Sequence, residues 1–376
     1  MINKEELVRY SRHLLLPELG QEGQEKLKNT KVLVVGAGGL GAPLLLYLAA
    51  AGIGKIGIVD FDTIEESNLQ RQVLFSTKDI GRNKAEIAKQ KLVELNPYIE
   101  IVDHPVRLTS SNALDIINDY DIVADGTDNF PTRYLINDSC VLLNKVNVYA
   151  SIYRFEGQVT VFNYSLDNKE APNYRDLYPS PPPPNLIPSC AEGGVLGVLA
   201  GIIGSIQASE VIKVAATFGE PLVKKLFIFD ALTMESRIVK YELPKVRTSI
   251  NGLIDYEEFC NIGSLLKENS QMKEITVKEL KNLMDTQEEY QLIDVREKHE
   301  YDIANIKAEL IPMGEISSAV ERISHDKKVI IHCRSGVRSA NVIKELSDKH
   351  GFENLYNLKG GILAWADEID PTIKKY

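Results

Sequence analysis

At 376 residues the chain exceeds one ordinary domain, so two or three are expected. A content of 44% hydrophobic and 26% charged residues is that of a soluble globular protein, and a net charge of −10 argues against a nucleic-acid partner while leaving room for a local basic pocket. Four widely spaced cysteines, Cys140, Cys190, Cys260 and Cys333, show no pairing pattern and fit a reducing compartment. The opening Met1–Glu6 lacks the apolar run of a signal peptide, and the most apolar stretches, 40–53 and 195–206, fall short of the ~18–20 residues needed to span a bilayer. A cytoplasmic protein with no membrane partner is therefore expected.

In chain order, residues 4–29 read as polar amphipathic helix. Short apolar strands follow at 31–35, 55–60, 99–105 and 121–124, with helices at 40–51 and 84–95. This alternation predicts a doubly wound, Rossmann-like sheet. Further on, strands at 158–163 and 226–230 flank a long helix over 193–216. Between them, 178–188 contains four consecutive prolines, Pro181 to Pro184, and reads as a crossover loop. The stretch 246–273 is polar and irregular and reads as a linker between a first domain, 1–245, and a second βα region, 274–376.

Two loops carry the chemistry. The first is Gly36-Ala37-Gly38-Gly39-Leu40-Gly41, which follows a strand and opens a helix. Glycines there let backbone amides approach a phosphate at the helix N-terminus, and Asp60, ending the next strand, can bond a ribose hydroxyl. On these residues alone an NAD-dependent oxidoreductase is the first reading. Asn68, Arg71, Lys84 and Asp125-Gly126-Thr127-Asp128-Asn129 shift the balance. Hydride transfer has no use for such a set, whereas a magnesium–triphosphate complex does: Arg71 and Lys84 neutralise phosphate oxygens, and Asp128 offers a hard oxygen ligand to Mg²⁺. Taken singly, Lys84 is an ordinary first-turn lysine and Asp128 a helix cap. A scaffold with a dead nucleotide site is the remaining alternative, and the intact motifs weigh against it.

The second loop is Cys333-Arg334-Ser335-Gly336-Val337-Arg338, between an apolar strand at 328–332 and a helical pattern starting near Ser339. A cysteine there meets the positive end of the helix dipole and two arginines, which favours the nucleophilic thiolate. Backbone N–H groups of the loop would face any anionic sulfur that Cys333 carries. His332, just before it on the strand, reads as a packed residue.

Arg9-Tyr10-Ser11-Arg12, the glycine loop, Asp60-Phe61-Asp62, Ser67–Gln72, Lys84 and Asp125–Asn129 together resemble the MoeB/ThiF/HesA family, relatives of ubiquitin-activating enzymes. Residues 292–297, Cys333–Arg338 and 358–365 resemble a rhodanese domain. The resemblance implies a Rossmann-like mixed-sheet adenylation domain followed by a smaller α/β sulfurtransferase domain. It implies ATP-dependent adenylation of the C-terminal glycine of a ubiquitin-like sulfur carrier ending in Gly-Gly, then sulfur transfer from a Cys333 persulfide to give a thiocarboxylate. The molybdopterin-synthase small-subunit type of carrier fits best, with a ThiS-type thiamine carrier as the alternative. Thiosulfate or a persulfide would be the donor.

By position, Gly36, Gly38, Gly39, Gly41, Asp60, Asn68, Arg71, Lys84, Thr127 and Asp128 would bind ATP–Mg²⁺, and Arg12 would reach it from the second subunit of a homodimer. A carboxylate attacking an α-phosphate is already ionised, so positioning and charge neutralisation replace a general base. Cys190 closes the proline-rich loop at a position where some relatives bond covalently to the carrier; a structural cysteine before a buried helix is the other reading. Many relatives hold a structural zinc with two Cys-x-x-Cys pairs. The first would fall at Asn173 and Asp176 and the second near Cys260, so no zinc is expected. Ala304-Asn305-Ile306 stands where relatives have Gly-His-Ile.

Overall fold

The computed structural model describes residues 2–165, 170–182, 194–260 and 272–375. Cys190 lies outside the described residues. The chain divides into two compact units, Met1–Asn261 and Ile262–Tyr376.

The first unit is built on a mixed sheet of eight strands: β1 (Lys31–Val35), β2 (Lys55–Val59), β3 (Glu100–His104), β4 (Ile122–Asp125), β5 (Val146–Tyr153), β6 (Glu156–Phe162), β7 (Lys225–Asp230) and β8 (Glu235–Lys240), in the order β3-β2-β1-β4-β5-β6-β7-β8. The strands from β3 to β5 pair in parallel and those from β5 to β8 antiparallel. The inner parallel strands β1, β2 and β4 are near-continuous apolar runs, and in β1 all but Lys31 are buried, whereas the edge strand β3 carries Glu100, Asp103 and His104. β5, not anticipated from sequence, fuses the parallel and antiparallel halves. Val35 pairs with both Val59 and Asp125, so the chain leaves β1, β2 and β4 at one edge of the sheet. That edge, where strand order reverses, is the switch point at which such sheets bind ligands.

Three expectations are corrected here. The helix expected over 4–29 is three helices, Lys4–Arg9, Ser11–Leu14 and Gly20–Asn29. It breaks at Tyr10, which closes the first helix, and at Gly20, whose φ is +54°. The apolar stretch judged too short for a membrane belongs to a 20-residue helix, Gly197–Ala216, long and apolar enough by composition to cross one. This helix is instead central to the unit: Leu199, Ile203 and Val211 enter the main core, Gln207 donates to Asp125 O and Val148 O, and Glu210 accepts the amide of Leu222. Finally, the stretch read as linker begins as part of the first unit. Arg247 pairs with Asp176, Tyr256 OH donates to Asp138 at 2.8 Å, and Phe259 packs on Tyr134. These anchors are polar and aromatic, without apolar periodicity, so the pattern did not reveal them. Asn173 and Asp176 form a capping box on the helix Tyr174–Leu177.

The second unit has a five-stranded, wholly parallel sheet: β9 (Glu274–Ile275), β10 (Tyr290–Asp294), β11 (Glu309–Leu310), β12 (Lys328–His332) and β13 (Leu355–Leu358), in the order β11-β10-β12-β13-β9. One core lies on each face, and Trp365, the only tryptophan of the chain, belongs to one of them. β12 is the central strand, so the residue following it is held by neighbours on both sides.

Candidate active sites

The glycine loop springs from the end of β1 into the helix Gly41–Ala51. Its turn is so tight that a Cβ on Gly41 would lie 1.9 Å from Gly36 O, and Gly36 itself has φ +92°. Asp60 continues β2 and supports this loop from beside it. Its carboxylate accepts the Ala37 amide at 2.8 Å and the Asp62 amide at 2.9 Å. Burial raises the Asp60 pKa, against the lowering pull of Lys84 and the two amides. Lys84 is buried at the first turn of the helix Lys84–Leu95 and pairs with Asp62 at 3.0 Å. Asn83 caps that helix through the amides of Ala85 and Glu86.

Arg71 approaches the same loop. Its Cγ would lie 3.6 Å from a Cβ on Gly39, and its guanidinium donates to Ser67 O at 3.0 Å. Asn68 is buried and accepts the Glu65 amide. Past β4, Asp125 is fully buried and accepts both the amide and the hydroxyl of Thr127, at 2.9 and 2.6 Å. Burial raises the Asp125 pKa, with Arg133 opposing. Asp128 is exposed at the turn, and Asn129, not Asp128, caps the helix Phe130–Leu143 by accepting the Thr132 amide. Thus Gly36–Gly41, Asp60, Asn68, Arg71, Lys84, Thr127 and Asp128 gather around one sheet edge. Arg12 lies on the exposed helix Ser11–Leu14.

Sequence reasoning missed a supporting layer. Arg133 donates to Thr127 O at 2.9 Å, its guanidinium facing the rings of Phe130 and Tyr149. Gln207 bonds the carbonyl of Asp125 from the long helix. A polar residue at a core-facing position of an otherwise apolar helix is the only signal the sequence offers for Gln207.

In the second unit, Cys333 follows β12 and is 1% exposed. Gly336, with φ +98°, turns the loop so that its amide donates to Cys333 Sγ at 3.1 Å, and the helix Val337–His350 starts at once. The helix begins two residues before the expected Ser339 because the left-handed Gly336 already serves as its cap. The amides of Ile362 and Leu363, opening the next helix, donate to Cys333 O and Arg334 O. Arg338 corrects one expectation. It makes a bidentate ion pair with Glu300, at 2.6 and 2.7 Å, and so braces the loop rather than directing its charge at sulfur alone. Burial acts to raise the Glu300 pKa, but Arg338 and the Glu297 amide prevail and hold it below the usual range.

Behind the loop, Arg296 and Asp294 form a wholly buried pair, closest at 2.6 Å, and Arg296 also donates to Ala304 O. Ala304 therefore contributes through its backbone, which suits its departure from the rhodanese pattern. His332 is buried, with Nδ1 3.4 Å from Cys333 O and Nε2 3.6 Å from Asp294, and burial lowers its pKa.

These two sites define a nucleotide-binding adenylation unit joined to a cysteine sulfurtransferase unit. The ThiF family model matches residues 10–249, and the rhodanese-like domain model matches 276–368. The chain belongs to the ThiF family and carries a C-terminal rhodanese-like domain; it is an enzyme of the adenylyltransferase and sulfurtransferase class. It is 46% identical over its whole length to a probable adenylyltransferase/sulfurtransferase MoeZ of Mycobacterium tuberculosis, covering 96% of that protein. It is 40% identical, again over its whole length, to the adenylyltransferase and sulfurtransferase MOCS3 of Aedes aegypti, covering 90% of it. Over 69% of the chain it is 50% identical to a sulfur carrier protein adenylyltransferase of Thermus thermophilus, covering 98% of that protein. Among solved structures, E. coli MccB with AMPCPP and MccA aligns with a TM-score of 0.56 at 25% identity, over 65% of this chain and 74% of MccB.

Proposed function

We propose that residues 1–245 adenylate the C-terminal glycine of a ubiquitin-like sulfur carrier and residues 274–376 then sulfurate it. The observation that carries this reading is the pairing, in one chain, of a tight glycine loop ringed by Arg71, Lys84 and Asp128 with a cysteine cradled at a helix N-terminus. The carrier carboxylate attacks the α-phosphorus of ATP and pyrophosphate leaves. Gly36, Gly38, Gly39 and Gly41 admit the phosphates, Asp60 holds the ribose, and Asn68, Arg71, Lys84 and Thr127 orient and neutralise the triphosphate. Among the described residues no group of three or more acidic, His or Cys side chains could hold a metal. Mg²⁺ would enter with the phosphates and take one or two carboxylates, here Asp128. No structural zinc is needed where Asn173 and Asp176 stand, since they cap a helix and Asp176 pairs with Arg247.

The second stage begins with a persulfide on Cys333, formed when its thiolate takes the outer sulfur of thiosulfate and sulfite leaves, or supplied by a protein persulfide. Its terminal sulfur attacks the acyl carbon and AMP departs, leaving an acyl disulfide. The Cys190 thiolate then attacks the Cys333 sulfur, freeing the carrier thiocarboxylate and leaving a Cys190–Cys333 disulfide for cellular thiols to reduce. Arg12 enters the nucleotide site of a second copy; the exposed Val8, Leu15 and Leu16 beside it supply apolar surface for a homodimer. A carrier of the molybdopterin-synthase type is the first candidate, and the cytoplasm, with its reducing thiol pool, is the setting the chemistry needs. ATP–pyrophosphate exchange with each candidate carrier tests the reading: exchange with none of them overturns it.

A further inference from the structure

We propose that Ser339 is a catalytic residue of the sulfur site and Asn357 a positioning residue for it. The hydroxyl proton of Ser339 bonds Asn357 whenever Cys333 is a neutral thiol and turns to Cys333 Sγ when that sulfur is an anion. The inference rests on the reading of Cys333 as the sulfur-bearing residue.

Ser339 is 0% exposed, on the first turn of the helix after the loop. Its Oγ lies 2.7 Å from Asn357 Oδ1, 3.1 Å from Gly336 O and 3.5 Å from Cys333 Sγ. A hydroxyl has one proton, so three acceptors compete for it. Asn357, reaching over from β13, fixes the competition. Its Nδ2 donates to Gly336 O at 3.1 Å, which aims Oδ1 at the serine and pins the carbonyl of the loop's left-handed residue. Against a neutral thiol, Asn357 Oδ1 is the closest and best acceptor. A sulfur anion changes the order, because a hydrogen bond to a charged acceptor is roughly twice as strong as a neutral one.

The Gly336 amide, at 3.1 Å, is a further donor to Sγ. Two donors on an otherwise buried sulfur matter at both steps. Cys333 attacks the outer sulfur of thiosulfate as a thiolate: the new S–S bond forms, the old one breaks, and sulfite leaves with the electron pair. When cyanide or another acceptor attacks the terminal sulfur, thiocyanate or its analogue forms and Cys333 leaves as the thiolate again. A donor to Sγ raises the thiolate fraction that enters the first step and stabilises the thiolate that leaves in the second, and Ser339 provides it without a proton lost or gained.

The test uses the full chain and thiosulfate–cyanide turnover, which needs neither ATP nor a carrier. Removing a hydrogen bond to a charged group costs about ten-fold or more in rate. Ser339→Ala should therefore lower kcat about ten-fold, with the KM for thiosulfate changed less than about two-fold. Ser339→Thr and Ser339→Val have the same shape and differ only in the hydroxyl, so Thr should exceed Val by a similar factor even if both perturb packing. The alkylation rate of Cys333 by iodoacetamide should follow the same order. Equal rates for Thr and Val, or an unchanged kcat for Ser339→Ala, overturns the inference. Cys333→Ala is the control: turnover surviving it would overturn the sulfur-site reading itself, a different result from Ser339 variants that leave an otherwise Cys333-dependent rate unchanged.

Discussion

Arg296 offers the most severe test of how the sulfur site is held. Its side chain and that of Asp294 are both 0% exposed, and the guanidinium bonds the carboxylate at 2.6 to 3.0 Å while reaching Ala304 O at 2.7 Å. Arg296→Met keeps the apolar stem but strands the Asp294 carboxylate away from water. Breaking a buried pair from one side costs about 3–5 kcal/mol, and a domain's whole stability is about 5–15 kcal/mol. Each kcal/mol moves the midpoint of a domain of this size by roughly 4–8 °C, so a fall of at least about 12 °C is expected. The chain has one tryptophan, Trp365, buried in the second unit, so tryptophan fluorescence reports that unit selectively. ATP–pyrophosphate exchange at permissive temperature should match the parent. A fluorescence midpoint within about 2 °C of the parent, on that same scale, would refute the assignment of Arg296 as the buried brace.

Asp128→Ala should lower ATP–pyrophosphate exchange by two to three decades, about 2.7–4 kcal/mol, and leave thiosulfate sulfurtransferase turnover unchanged. Gly41→Ala should abolish exchange, since its Cβ would meet Gly36 O at 1.9 Å; purified protein with native exchange would contradict the loop geometry. Arg12→Ala should lower exchange, and its mixture with an Asp128→Ala subunit should regain part of it if each site borrows Arg12 from its partner. Asp79 supplies a pH test. Burial acts to raise its pKa, but bonds from Lys91 and Ser76 prevail and bring it down to about 2. Its contribution, of order 2 kcal/mol, is then present above the unfolded value near 4 and lost as pH falls toward 2. Asp79→Asn should flatten acid unfolding by circular dichroism in that window.

The elements legible in the sequence sit on local patterns. A glycine loop between an apolar strand and a helix, and a cysteine between β12 and its helix, need only near neighbours in the chain to be recognised. What remained hidden depends on partners brought together by crossovers. Ser339 meets Asn357 because β13 lies beside β12, and Gln207 meets Asp125 because the long helix crosses beneath β4 and β5. The ion pair Arg338–Glu300 spans 38 residues, so no spacing rule exposes it. The same holds for Arg247 and Tyr256, whose partners Asp176 and Asp138 are 71 and 118 residues away.

The central claim is that one carrier molecule is served by both units in turn. The most direct measurement is mass spectrometry of a Gly-Gly-ended carrier after a single turnover with ATP, Mg²⁺ and thiosulfate. The parent enzyme should yield carrier heavier by the difference between sulfur and oxygen. Cys333→Ala should stop at the adenylate, and Asp128→Ala should return the carrier unchanged. Thiocarboxylate formed by Cys333→Ala, or formed without ATP, would contradict the account.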